Sequence, residues 1–164
     1  MPDALEEKLM TVKLLETDEE RLACMEIAKG LPEWFNEAGL RAIERDLVRE
    51  ETYLAAENGN VLGFITIKPI NDNAMEILWM AVRREHQRKG IGSALLKFAE
   101  SLARERGFEV LVVKTSGDFS YRPYDETRRF YEKKGFVRVA LIDPYPEWGE
   151  EALIYVKCLT SSPL

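Results

Sequence analysis

The feature that most constrains what this chain can fold into is a glycine-bearing basic stretch, Gln87-Arg88-Lys89-Gly90-Ile91-Gly92-Ser93, set between an apolar run and a long amphipathic one. The run before it, Glu76-Ile77-Leu78-Trp79-Met80-Ala81-Val82, suits a pleated, largely buried strand. After it, Ile91, Leu95, Phe98, Ala99 and Leu102 recur at helical spacing, with Lys97, Glu100, Arg104 and Glu105 on the other face. The glycines therefore fall at a helix N-terminus. There the first backbone N–H groups lack intrahelical partners, the macrodipole favours an anion, and glycine leaves room for close approach. Arg88 and Lys89 add positive charge to a junction suited to phosphate.

Spacing separates the phosphate-binding designs that share strand, glycine turn and helix. A Walker loop needs Gly-Lys-Ser/Thr after four intervening residues, and the chain has none. A dinucleotide fingerprint needs glycine or alanine three residues after its second glycine, where this chain has Leu95. What remains is Gln-x-x-Gly-x-Gly. A plain reading is a solvated basic turn whose glycine starts a helix. A second stretch adds context: Asp125-Glu126-Thr127-Arg128-Arg129-Phe130-Tyr131-Glu132-Lys133-Lys134-Gly135-Phe136 reads as a short helix with Asp125 as N-cap, ended by Gly135 and feeding a strand.

Together these stretches resemble the two signatures of the GNAT superfamily of N-acetyltransferases: the Gln/Arg-x-x-Gly-x-Gly/Ala cradle for the pyrophosphate of acetyl-coenzyme A, and the Phe-Tyr-Glu-Lys-x-Gly-Phe segment whose tyrosine reaches the coenzyme sulfur. The resemblance implies an α/β fold of the α+β type: a central mixed, mostly antiparallel, twisted sheet of six to seven strands flanked by about four helices. It implies coenzyme contacts from Gln87, Arg88, Lys89, Gly90, Ile91, Gly92 and Ser93, and pantetheine pairing with the main chain near Met80, Ala81 and Val82. Tyr131 would protonate or hydrogen-bond the departing thiolate. Many relatives carry Asn and Ala where this chain has Tyr124 and Thr127, so the side-chain amide contact made at that place in the family is in question.

A protonated amine, with an ordinary pKa of about 10.4, cannot attack a thioester, so a base or a desolvating site is needed. Glu76 lies eleven positions before Gln87, where the histone acetyltransferase branch that this segment resembles places its general base. It is either that base, on a face shared with Leu78, Met80 and Val82, or a solvated residue at the strand start; Trp79, on the other face, reads as core. The resemblance points to Glu33, Trp34, Phe35, Tyr145 and Trp148 as borders of the acceptor cleft, where exposed aromatics beside acids could cage a cationic amine. Equally, Trp34 and Phe35 could staple two helices, and Trp148 could cover the sheet or a homodimer interface.

The expected activity is direct transfer of acetyl from acetyl-CoA to a primary amine of a small molecule or peptide, with a non-catalytic acyl-CoA sensor on the same fold as the alternative. Composition agrees. With 164 residues, 46% apolar and 32% charged, the chain suits one folded domain spanning 1–164. A net charge of −6 argues against nucleic acid, and the lack of any bilayer-length apolar run and the acidic start Met1-Pro2-Asp3-Ala4-Leu5-Glu6-Glu7 argue against membrane and signal peptide. A cytoplasmic setting is expected. One histidine and two cysteines, Cys24 and Cys158, without metal spacing leave no metal expected. Cys24 could carry an acyl group, but reads as core.

The remaining elements follow from periodicity and turn chemistry. A strand at 11–16 precedes a helix capped by Thr17 or Asp18 and ending at Gly30, and a second helix starts at Asn36. Strands at 52–57 and 61–68 flank the hairpin signal Asn58-Gly59. After the strand at 74–82 and the helix ending near Gly107 come a strand at 108–114, the tyrosine helix, and strands at 136–142 and 152–158. The last two are joined by a loop holding Pro144, Tyr145, Pro146 and Trp148.

Overall fold

The computed structural model describes residues 10–159, so the acidic start at 1–7 lies outside them. In chain order the elements are β1 (Met10–Leu14), α1 (Asp18–Lys29), α2 (Glu37–Arg49), β2 (Glu51–Glu57), β3 (Asn60–Pro69), β4 (Ala74–Val82), α3 (Ile91–Glu105), β5 (Val110–Ser116), α4 (Pro123–Lys133), β6 (Val137–Tyr145) and β7 (Glu150–Cys158), with a 3-10 turn at Arg84–His86. The strands form one mixed seven-stranded sheet in the order β1-β2-β3-β4-β5-β7-β6. Element order and fold class are those expected from the sequence. Contacts group the chain into two compact units, with β4 and α3 contributing to both: one runs through Ile67 and adds Trp79–Ala99; the other joins Lys68–Leu78 to the chain from Glu100 on.

In the first unit, local chemistry sets the boundaries. The Thr17 side chain accepts from the Glu20 N–H at 3.1 Å, and the Glu20 carboxylate accepts from the N–H groups of Thr17 and Glu16, a complete capping box. Asn36 caps α2 through Gly39 N–H at 2.8 Å. Asn58 and Gly59, at φ 51° and 82°, turn β2 into β3 with Glu57 opposite Asn60. One core cluster gathers Cys24, Ile27, Ala28 and Leu31 of α1 and its end, Ile43 and Leu47 of α2, Leu54 and Phe64 of the hairpin, and Ala81 of β4. Cys24 is fully buried, and burial pushes its thiol up to about 12, so the core reading of this cysteine holds. Trp34, Phe35 and Trp79 pack against the same cluster.

In the second unit β5 runs parallel to β4 from Ala74↔Val110 to Ile77↔Val113, and antiparallel to β7 along its whole length. Lys157 of β7 pairs with Glu100 of α3 at 2.7 Å, so Glu100 is not part of a purely solvated helix face. α4 closes as a Schellman motif: the Phe136 N–H donates to the Tyr131 carbonyl at 3.0 Å and the Gly135 N–H to the Glu132 carbonyl at 3.1 Å, with the Tyr131 and Phe136 rings 5.3 Å apart.

Several strand ends shift by one or two residues, as in β1, β5 and β7, and two boundaries differ from expectation in kind. Asp125 is not the N-cap of α4; Pro123 starts the helix, a place where its missing N–H costs nothing, and Asp125 sits in the first turn, 3.8 Å from Arg128. The expected loop after residue 142 is mostly strand: β6 continues through Pro144 to Tyr145, which lies opposite Glu150, because irregular register absorbs the proline.

Candidate active site

From Val82 to Ile91 the chain is braced by its own side chains. Arg83 donates its main-chain N–H to the Leu62 carbonyl at 2.7 Å, and its guanidinium to the Val61 carbonyl at 3.1 and 3.2 Å and to Glu26 at 3.1 Å. Arg84 reaches the Gly30 carbonyl at 3.0 Å and the Glu33 carboxylate at 2.7 Å. The Gln87 amide donates to the Val82 carbonyl at 3.0 Å, tying the glycine loop to the end of β4. Arg88, Lys89 and Gly90 are exposed.

Gly90 takes φ 87°, a left-handed conformation that side chains resist, and nothing lies within 4 Å of where its Cβ would be. Ala94 is bonded back to the Gly90 carbonyl at 3.0 Å, so the N–H groups of Ile91, Gly92 and Ser93 form the open first turn of α3. Behind it Ile91, Leu95, Leu96, Ala99 and Ala103 are buried, fixing the helix start. The macrodipole and two exposed cations make this end of α3 attractive to an anion.

The strand leading to this loop is crowded on its other side. A Cβ on Gly63 of β3 would fall 2.7 Å from the Ala81 carbonyl oxygen and 3.3 Å from Val82 Cα, so glycine is what lets β3 lie against β4 here. Trp79 is half-buried, donates its indole N–H to Asp46 at 2.8 Å and meets Phe35 edge-on at 6.1 Å. That favours the stapling reading of Phe35 over a free acceptor wall.

In the second unit Glu76 is neither solvated nor alone. It is 8% exposed and lies 2.9 Å from the Lys114 ammonium. The register sets Glu76 opposite Val112, and Lys114, two residues on, shares that face. The Tyr145 ring sits 4.9 Å from the Lys114 ammonium; its hydroxyl donates to Glu147 at 2.8 Å, and Trp148 packs on it edge-on at 5.2 Å. Burial works against the Lys114 charge, but Tyr145 and Glu76 outweigh it and hold the ammonium above the ordinary lysine range.

Tyr131 is 4% exposed, with the Phe130 and Phe136 rings edge-on at 5.2 and 5.3 Å. Burial raises its phenol well above the ordinary range, and burial is also the chief reason that Tyr124 is pushed up to about 12. Thr127 is half-buried in α4. Arg128, buried one helical turn before Tyr131, donates to the Ser116 carbonyl at 3.3 Å and the Asp118 carbonyl at 3.2 Å and stacks 4.6 Å from Phe119. Among the described residues no group of three or more His, Cys, Asp or Glu is disposed to hold a metal.

The first unit thus offers an open helix N-terminus with a glycine in left-handed conformation, suited to an anion, and the second holds a buried carboxylate and a buried phenol. The family model described as the acetyltransferase (GNAT) family matches residues 16–136. The chain belongs to the GNAT acetyltransferase family. An uncharacterized N-acetyltransferase from Methanocaldococcus jannaschii is 32% identical to this GNAT chain over 108 residues, 64% of each protein, so the match spans less than two thirds of that relative's length. A crystal structure of a GNAT-family protein from Desulfovibrio desulfuricans superposes with a TM-score of 0.81 at 22% identity, covering 92% of this chain and 99% of that one. An aminoglycoside 6'-N-acetyltransferase solved with coenzyme A gives 0.73 at 17% identity over 93% and 99%. These two establish the fold.

Three residues of this GNAT chain escape the sequence reading. Lys114 is an alternating charge in a strand pattern, and only the β4–β5 register brings it to Glu76. Gly63 carried a weak signal, an isolated glycine inside a strand. Arg128 sits in an exposed-looking run of charges whose buried member periodicity does not single out.

Proposed function

We propose that this protein transfers the acetyl group of acetyl-CoA to a primary amine by direct attack, with both substrates bound. The observation that carries the reading is the start of α3: Gly90 at φ 87° with open space beside it, ahead of three N–H groups that lack intrahelical acceptors. Such a cradle fits a pyrophosphate, and the GNAT membership makes coenzyme A its natural occupant. In this reading Arg88, Lys89 and the N–H groups of residues 91–93 hold the phosphates, while Gln87 keeps the loop on β4. The main chain of Met80, Ala81 and Val82, beyond the end of the β4–β5 register at Ile77, takes the pantetheine arm as an added strand would.

The coenzyme supplies an activated acyl group as a thioester. The chain supplies positioning and two proton groups. Glu76 takes the proton of the attacking amine, and the Tyr131 hydroxyl, neutral at ordinary pH, gives a hydrogen bond or a proton to the departing sulfur. Tyr124 and Thr127, facing the coenzyme from α4, replace an amide contact by bulk. Tyr145 and Trp148 are proposed borders of the amine site, and one folded domain in the cytoplasm is the proposed setting.

Thermal unfolding with acetyl-CoA, against NAD and ATP as matched controls, tests the cradle. Ligand at 100 times its dissociation constant adds about 2.7 kcal/mol, so a midpoint rise specific to the coenzyme is expected. No rise at millimolar coenzyme overturns the assignment. Release of coenzyme thiol in the presence of primary amines tests the transfer itself.

A further inference from the structure

The reading of Glu76 as base leaves unexplained why an ammonium stands against it. Lys114 and Glu76 approach to 2.9 Å with side chains only 22% and 10% exposed. A pair this sheltered is screened far less than a surface ion pair, and removing one partner leaves the other charge without compensation. The contact is built rather than casual. Parallel pairing of Glu76 with Val112 puts Lys114 on the Glu76 face, and the Tyr145 ring, 4.9 Å from the ammonium, braces it from β6. The Tyr145 hydroxyl is in turn bonded to Glu147, so charged or titratable groups meet Lys114 from β4 and β6, with Glu147 beyond them.

We propose that Lys114 is a positioning residue for the transfer: its ammonium, 2.9 Å from Glu76 and braced by Tyr145, holds the Glu76 carboxylate where it can accept the proton of the incoming amine. The proposal rests on the reading of Glu76 as the base. It makes the working unit a carboxylate–ammonium–aromatic set drawn from three strands. Replacing the ammonium by an apolar side chain would leave a sheltered carboxylate without its compensating charge, which disfavours the charged form in the variant.

The test follows coenzyme thiol release from acetyl-CoA with a polyamine, an alanine-terminated peptide and an aminoglycoside as acceptors. The pH dependence of kcat is compared for the native protein, Lys114→Met, Lys114→Arg, Tyr145→Leu and Glu76→Gln. Lys114→Met is expected to move the acidic limb upward by about 1 to 3 pH units, the range of a close opposite charge. Lys114→Arg should restore the limb to its native place, and Tyr145→Leu should move it part of the way. A merely structural role would lower kcat at every pH without moving the limb, and that result overturns the proposal, as does a limb moved equally by Lys114→Arg. If Lys114→Met fails to fold, the Tyr145→Leu and Lys114→Arg profiles decide: a limb unmoved by Tyr145→Leu overturns the proposal. An acidic limb that survives Glu76→Gln removes Glu76 as base, and the native protein's failure to release thiol with any acceptor removes the transfer reading. Those two failures are distinct from a limb that depends on Glu76 but ignores Lys114.

Discussion

Gly63 lies so close to Ala81 that a Cβ on the glycine would stand 2.7 Å from the Ala81 carbonyl oxygen. The obstacle is main chain, which cannot swing aside as a side chain would. Gly63→Ala should therefore push β3 off β4, costing about 1–3 kcal/mol as overpacking does. Chemical denaturation measures the cost. In the proposed function the displaced segment is the one that takes pantetheine, so the thermal shift given by acetyl-CoA should shrink as well. A variant as stable and as responsive as the native protein would show that the strands adjust freely.

Gly90 poses the opposite problem, conformation without crowding. With φ 87° and nothing within 4 Å of its missing Cβ, Gly90→Ala meets no clash but must adopt a left-handed backbone, at about 1–2 kcal/mol. The expected result is a modest loss of stability and a larger loss of coenzyme binding, since the methyl group projects into the space proposed for phosphate. Calorimetric titration with acetyl-CoA checks it: affinity unchanged in Gly90→Ala would separate this loop from the coenzyme.

Burial keeps the Tyr131 phenol protonated well above its ordinary range. Tyr131→Phe is expected to lower kcat roughly 10²-fold, the lower end for a positioned acid, and to leave coenzyme affinity nearly intact. The sign for pH follows: a raised phenol gives no basic limb below about pH 10, the ordinary tyrosine value. A basic limb near pH 8 that disappears in Tyr131→Phe would contradict the burial of this hydroxyl.

The acid side of stability should carry the signature of Glu20. Its partner Lys13, at 2.6 Å, and the N–H groups of Glu16 and Thr17 hold this carboxyl down at about 2, against an ordinary 4.5. A depressed folded-state value stabilises above the unfolded value and is lost as pH falls through the folded one. Native stability should thus decline between about pH 4.5 and 2, and Glu20→Gln should flatten that decline. Urea midpoints measured across this window decide; an equal slope in both proteins would remove Glu20 from the account.

Much of this architecture was legible because its signals are local. Asn58-Gly59 can form a tight hairpin from its own backbone preferences, and the Phe130 to Phe136 segment ends its helix with bonds among neighbours. The glycine loop was readable for the same reason. What stayed hidden depends on pairing at a distance. Glu76 and Lys114 meet only because β4 and β5 align in one parallel register, and an alternating pattern is silent about which strand lies alongside. The start of α4 was misplaced because Asp125 is a good cap by type, while Pro123 settled the first turn two residues earlier. The edge contact of Phe35 with Trp79, itself tied to Asp46, is another pairing at a distance that the sequence left open.

The Schellman closure gives Tyr131 two duties, since its side chain presents the phenol while its carbonyl accepts the Phe136 N–H that ends the helix. Phenol and strand entry are thereby held a fixed number of residues apart. Length changes in the loop before Pro123 can be absorbed by the chain upstream, but a single residue gained or lost between positions 131 and 136 would unseat the cap and turn the phenol away together. Divergence in this lineage should therefore accumulate insertions ahead of the helix and almost none within its last turn.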